Sequence, residues 1–133
     1  MMLRALRMGL VYFGCVFAIG FALGMVRVLY VAPRLGPLWA VAAEVPLMLA
    51  ASAGVCHRLL RGRAIGRGEA GLMGGAALGL LLLAEAGLSL VAGRSLGAHL
   101  ALYAELPHQI GLAAQIGFAL LPQLFARPGA PSA

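Results

Sequence analysis

The chain has 133 residues, of which 62% are hydrophobic and 11% charged, and its formal net charge is +6. Soluble domains are about half apolar and about a quarter charged, so this chain has too few polar residues to cover a surface that faces water. The composition therefore excludes an ordinary soluble domain and predicts a protein that folds in lipid. The basic charge comes from Arg alone and lies almost entirely between apolar stretches, which favours lipid head groups over nucleic acid as its partner.

Four apolar runs follow one another along the chain, at about residues 8–31, 38–60, 70–92 and 107–125. Each is close to the ~20 residues that an α-helix needs to cross the ~30 Å hydrocarbon layer of a bilayer. Helices are expected because lipid offers no hydrogen-bond partner to exposed backbone groups. We therefore predict an all-α polytopic membrane protein, an antiparallel bundle of four transmembrane helices within residues 1–126, followed by a disordered tail at 127–133.

The segments that flank these runs predict where the helices begin and end. The first run is too long for the core of a signal peptide and lacks a cleavage site, so we expect an uncleaved helix. Residues 33–37, with Pro at both ends and Gly36 between them, predict a tight turn. Residues 96–106 are expected to form a short helix at the membrane interface, which suits Tyr103, before Pro107 starts the fourth helix.

The Arg residues are distributed unevenly between the two ends of the predicted bundle. One end carries three of them, Arg27, Arg34 and Arg94. The other end carries seven, namely Arg4, Arg7, Arg58, Arg61, Arg63, Arg67 and Arg127. Because cytoplasmic segments carry the excess of positive charge, we expect a multi-pass protein of a bacterial inner membrane with both termini in the cytoplasm.

Three charged residues fall inside the apolar runs: Arg27 in the first, Glu44 in the second and Glu85 in the third. Their distances from the ends of the runs place all three in the outer half of the bilayer. Ionisable groups within a membrane are costly, so they usually face the bundle interior and pair. We predict that they form a polar cluster, which is either an ion pair locking the helices together or a site for a proton or a substrate. An earlier end to the first helix would instead let Arg27 reach the head groups.

Glycines at fourfold spacing predict faces on which helices pack, because small residues let two helices approach closely in lipid. One pair lies in the first run and one series in the third, and together they comprise Gly20, Gly24, Gly71, Gly75 and Gly79. Arg27 and Glu85 lie on or beside these faces. We therefore expect the charged side chains to point away from lipid.

Two prolines are expected to kink the helices that contain them. Pro46 lacks the N–H that would bond the carbonyl of Ala42, which leaves this carbonyl available to Arg27. Pro122 should bend the inner end of the fourth helix in the same way.

No pattern in the sequence predicts a catalytic centre, a metal site or a cofactor. The chain contains no Asp, which excludes a Ser–His–Asp triad. His57 is expected at one end of the bundle and His99 and His108 at the other, with no convincing spacing for a metal or haem. The glycine-rich residues 71–79 lack the Lys that ends a phosphate-binding loop. We expect neither a cofactor nor enzymatic activity.

Two segments carry a resemblance to a known group of proteins. They are Gly24-Met-Val-Arg-Val-Leu-Tyr-Val-Ala-Pro-Arg-Leu-Gly36 and Glu44-Val-Pro-Leu-Met-Leu49. These segments resemble an uncharacterised family of small four-helix bacterial inner-membrane proteins, mainly over the first 60 residues of the chain. The resemblance implies the same four-helix layout and implies no activity, substrate or cofactor.

The leading functional hypothesis is a structural or accessory membrane subunit. It would associate with further copies of itself or with a larger membrane complex through the glycine-rich faces, since too little of the chain lies outside the membrane for a catalytic domain. The alternative is a small proton-linked or small-molecule transporter, in which Glu44 or Glu85 titrates beside Arg27. A membrane-embedded enzyme acting on lipid or quinone is a third class.

Overall fold

The computed structural model describes residues 2–126, and every regular element within that range is helical. The predicted disordered tail at 127–133 lies outside the described residues. In chain order, the elements are α1 (Met2–Val26), a π-helical segment (Arg27–Val31), α2 (Ala32–Leu35), α3 (Pro37–Leu60), α4 (Arg67–Val91), α5 (Leu96–Ala101), a 3-10 turn (Leu102–Ala104) and α6 (Leu106–Phe125).

Three of the helical stretches are long and apolar enough to cross a membrane, namely Met2–Leu35, Pro37–Leu60 and Arg67–Val91. Large hydrophobic side chains cover the outer surface of the molecule, and Val91 is 86% exposed and Leu83 71% exposed. Extended apolar surface of this kind is unsuited to water and suited to lipid. The fold therefore has the character of a membrane protein. The fourth long helix, α6, carries one His and three Gln and is not among the three.

The first membrane-length helix continues beyond its predicted end. The turn predicted at residues 33–37 is confined to Gly36, whose φ of 84° few other residues adopt. Pro33 lies in the first turn of α2. Because Pro33 has no N–H to donate to the carbonyl of Leu29, the preceding turn is free to widen, and the N–H of Ala32 bonds to the carbonyl of Arg27 instead. The proline is thus accommodated inside the helix and does not end it.

The four long helices form two hairpins in which the paired helices run in opposite directions. In the first hairpin, α1 packs on α3, and Gly20 lies against Met48. In the second, α4 packs on α6, and Gly74 lies against Ala119. Each hairpin buries one face of each helix and leaves the opposite face outside.

The two hairpins pack side by side. Across their interface α1 lies beside α4 and α3 lies beside α6, and the two helices of each such pair run in the same direction. Arg4 at the start of α1 bonds to Glu69 at the start of α4, which shows that these two helices run in the same direction. Within residues 2–126, the backbones of the consecutive helices α3 and α4 do not approach each other closely. The predicted antiparallel bundle is therefore not confirmed in full: successive long helices alternate in direction, but two pairs of neighbours in space are parallel.

The core occupies the half of the bundle that contains Arg4, here called the packed end. Its side chains come from α1, α3, α4 and α6 and from the α3–α4 connection, and Tyr12, Cys56 and Ile65 are almost wholly buried. Arg4 also fixes this end, because its guanidinium donates to both carboxylate oxygens of Glu69 at 2.5 and 2.6 Å. The opposite half, here called the open end, is less filled.

Candidate functional site: a polar cavity at the open end

The open end contains a cavity of about 740 Å³ between the long helices, with α5 and the 3-10 turn at its rim. Ligand pockets in proteins typically have volumes of about 300–1,000 Å³ and mostly apolar walls with a few polar groups. The walls here follow that composition. Apolar side chains such as Phe17, Phe21 and Leu112 form most of the surface, and all three residues of the predicted polar cluster also line it.

Two members of that predicted cluster, Arg27 and Glu44, are in contact. Arg27 begins the π-helical segment, and its Nε donates to a carboxylate oxygen of Glu44 on α3. Both side chains are partly buried, so the pair holds the π-helical segment to α3 within the membrane-length region. Arg27 thus bonds to this carboxylate and not to the carbonyl of Ala42. Pro46 lies inside α3, which continues past it as a helix.

Glu85, the third member, lines the same cavity but bonds to a different partner. Its carboxylate accepts a hydrogen bond of 2.5 Å from the side-chain N–H of Gln115 on α6. Within the described range 2–126, no Arg or His nitrogen lies within 4.0 Å of this carboxylate. The structure therefore brings Arg27 and Glu44 together and places Glu85 on the cavity without a cationic neighbour in contact.

The short helix α5 places His99 against the cavity. Ser95 caps this helix by accepting a hydrogen bond of 3.1 Å from the backbone N–H of Ala98. His99 is 7% exposed and packs edge-on against Tyr103, with 5.5 Å between the ring centroids. Burial, and then the Glu85 carboxylate, raise the pKa of Tyr103 above its ordinary value, so its hydroxyl stays protonated at neutral pH.

Two buried polar atoms at this cavity have no hydrogen-bond partner in the described part of the chain. They are Nδ1 of His99 and the side-chain oxygen of Gln115. Buried polar groups in proteins are nearly always paired, because an unpaired one costs about 1–3 kcal/mol. Neither residue belongs to the predicted cluster of Arg27, Glu44 and Glu85, because an isolated His or Gln shows no spacing that marks a site.

The predicted packing glycines differ in their surroundings. A methyl group added at Gly20 would lie 3.2 Å from the side chain of Met48, and one at Gly71 would lie 2.7 Å from Gln123. At Gly24 the nearest group is the Arg27 guanidinium, at 3.7 Å. A methyl group added at Gly75 or Gly79 would meet no described atom within 4 Å, and both residues are exposed.

The closest approach of two helices is at glycines outside the predicted series. A methyl group added at Gly74 would lie 1.9 Å from the backbone oxygen of Ala119. At Gly9, it would lie 2.8 Å from the backbone oxygen of Met73. On α4, Gly74 is buried against α6, while its neighbour Gly75, a member of the predicted series, is exposed.

The packed end contains a second feature that spacing did not predict. The hydroxyl of Tyr12 donates a hydrogen bond of 2.6 Å to the backbone carbonyl of Phe118. Pro122 lies four residues after Phe118 inside α6, and it has no N–H to donate to that carbonyl. Tyr12 thus supplies the hydrogen bond that Pro122 removes. The position of Pro122 in the sequence indicates that the carbonyl of Phe118 lacks its helical donor, but no local pattern identifies Tyr12 as the group that replaces it.

Residues 2–126 contain no group of three or more His, Cys, Asp or Glu side chains placed to hold a metal ion. No protein-family model, no curated protein and no solved structure matches the chain. The resemblance to a four-helix membrane family remains a prediction from the two segments that carry it.

Proposed function

We propose that the chain is a four-helix bundle of a bacterial inner membrane, and that its cavity binds a small molecule with an apolar body and a polar head. The transporter class, the alternative from the sequence, is favoured over a purely structural role. The lipid bilayer that surrounds the bundle is one proposed partner. We propose neither an enzymatic activity nor a cofactor.

The membrane arrangement is supported by hydropathy and by charge. Three helical stretches are long and apolar enough to cross a membrane, and α6 packs between α3 and α4 along the bundle. A helix bundled in this way with membrane-spanning neighbours can direct a polar residue such as Gln115 into the bundle, where it bonds to Glu85. The excess of Arg at the packed end supports a cytoplasmic location of both termini.

The single observation that carries the function is the cavity at the open end, with polar groups on otherwise apolar walls. A structural subunit that packs only through its helix faces does not need a half-open cavity of about 740 Å³ with charged groups on its walls. A site that receives a molecule explains both the space and the unpaired atoms of His99 and Gln115.

Filling the cavity is expected to abolish binding. Gly111 lines the cavity, and a methyl group added there would meet no described atom within 4 Å, so Gly111→Phe should place its ring in the cavity without moving the backbone. Gly87→Phe is the matched control, because Gly87 is exposed on α4, outside the cavity, with equally open space. We expect Gly111→Phe to weaken binding by at least about tenfold and Gly87→Phe to leave it unchanged.

The measurement uses the protein in lipid nanodiscs and three tritiated probes with the same dodecyl chain length: dodecylamine, dodecanol and dodecanoate. Retention is followed by scintillation proximity. The proposal is contradicted if the wild-type protein retains none of the three, or if both Phe variants retain them equally.

A second function, the accessory subunit, is favoured by the exposed glycines of α4. Gly75 and Gly79 face outward one turn apart, and they would let a helix of a second copy or of a partner approach closely. If so, Gly79→Leu should lower the mass of the purified complex to that of a monomer, while Gly87→Leu should not. Light scattering in mild detergent measures the mass of each purified variant. If the wild-type protein is itself a monomer, the proposal that it associates with further copies is contradicted.

A further inference from the structure

The four Glu residues of the chain differ in their access to positive charge. Glu44 bonds to Arg27, Glu69 bonds to Arg4, and Glu105 lies 3.5 Å from His108. Glu85 alone has no cationic nitrogen within 4.0 Å among residues 2–126. It is also in a membrane-length helix and partly buried. A carboxylate in such surroundings is costly unless a positive charge compensates it.

Two further acceptors face the same space. The amide N–H of Gln115 is already donated to Glu85, which leaves the amide oxygen as the free atom of this side chain. His99 is more than nine-tenths buried, and its Nδ1 has no partner within the described residues. A neutral imidazole accepts through one of its nitrogens. Glu85, Gln115 and His99 thus form an acceptor-rich group that lines one cavity.

We propose that this group binds the protonated amine of an alkylammonium molecule whose hydrocarbon part lies along the apolar walls. This inference rests on the proposed function, since it names the chemical class of the molecule in that cavity. An ammonium group has three N–H donors and no acceptor, which matches the Glu85 carboxylate, the amide oxygen of Gln115 and Nδ1 of a neutral His99 that carries its proton on Nε2. The ring of Tyr103 at the rim adds an aromatic surface that favours a cation.

Two Arg residues, Arg27 and Arg94, also line the cavity, but they do not favour an anionic head group over an ammonium group. Arg27 is already engaged by Glu44. Arg94 donates to the hydroxyl of Ser89 at 3.4 Å, which leaves it as the one weakly held cation among the described lining residues. An anionic head near Arg94 would also face the Glu85 carboxylate, which has no cationic nitrogen within 4.0 Å among residues 2–126. A neutral alcohol would satisfy an acceptor but bring no positive charge to that carboxylate.

The test compares the three dodecyl probes on the wild-type protein in nanodiscs at neutral pH, where dodecylamine is protonated and dodecanoate is ionised. We expect dodecylamine to bind at least about tenfold more tightly than dodecanol, with dodecanoate the weakest. Glu85→Gln should remove the preference for the amine and leave dodecanol binding in place. Glu105→Gln, the same chemical change at an exposed carboxylate outside the cavity, should preserve it.

The outcomes separate the two proposals. If the wild-type protein binds all three probes equally, or prefers dodecanoate, the ammonium assignment is overturned while the cavity remains a binding site. If it retains none of them, the proposed function itself fails. The comparison of probes on the wild-type protein decides this even if Glu85→Gln does not fold.

Discussion

Gly74→Ala is expected to lower the stability of the protein more than any other alanine substitution at a glycine of α4. The added methyl group would lie 1.9 Å from the oxygen and 3.0 Å from the carbon of the Ala119 carbonyl. Because both atoms belong to the backbone of α6, no side-chain rotation relieves the clash, and the helices must separate. Overpacking costs about 1–3 kcal/mol and occasionally more, and we expect the upper part of that range.

Gly87→Ala is the control for this prediction. Gly87 is an exposed glycine of the same helix, and an added methyl group would meet no described atom within 4 Å. Replacing Gly with Ala inside a helix gains up to about 1 kcal/mol of helix propensity, so stability should be unchanged or slightly raised. Thermal unfolding in mild detergent, followed by circular dichroism, measures both variants. Equal midpoints for the two would mean that α4 and α6 do not approach as closely as described.

Tyr12→Phe is expected to produce the second large loss of stability, although it removes only one oxygen atom. The variant keeps the ring that stacks on Phe118 with 4.2 Å between centroids, so little packing is lost. It leaves the carbonyl of Phe118 without a donor, because Pro122 cannot supply the usual helical N–H. An unsatisfied buried acceptor costs about 1–3 kcal/mol, and both Tyr12 and Phe118 are buried.

Pro122→Ala provides the test of this explanation. Alanine restores an N–H four residues after Phe118, so the double variant with Tyr12→Phe should lose less stability than the sum of the two single variants. The four unfolding midpoints form a double-mutant cycle. Strictly additive effects would contradict the claim that Tyr12 compensates for the proline.

The places of the helices follow from local chemistry. Long apolar runs must become helices in lipid because their backbone groups have no other partner, and all four expected helices are present with shifted ends. At Pro33, where a turn was expected to start, the first helix continues past its predicted end. A proline is compatible with the first turn of a helix, and here a widened turn before it lets the helix continue to Leu35.

The candidate site was predicted only in part. The pairing of Arg27 with Glu44 was predictable, because unpaired charge within a membrane is costly and the outer halves of the apolar runs contain only three charged residues. Glu85 lines the same cavity as that pair, but its contact with Gln115 depends on how α4 and α6 are rotated against each other. His99 reaches the cavity only because α5 folds across its rim.

The sequence by itself determined that the chain is helical and apolar, where its helices lie and which end of the bundle carries most of the Arg residues, because these properties depend on composition and on neighbours along the chain. The tertiary structure alone decided which helices are parallel neighbours and which residues meet. Gly74 and Gly75 illustrate the reason. They are identical and adjacent, yet one is pressed against a backbone and the other faces outward, because the rotation of a helix about its axis is set by all of its packing partners together.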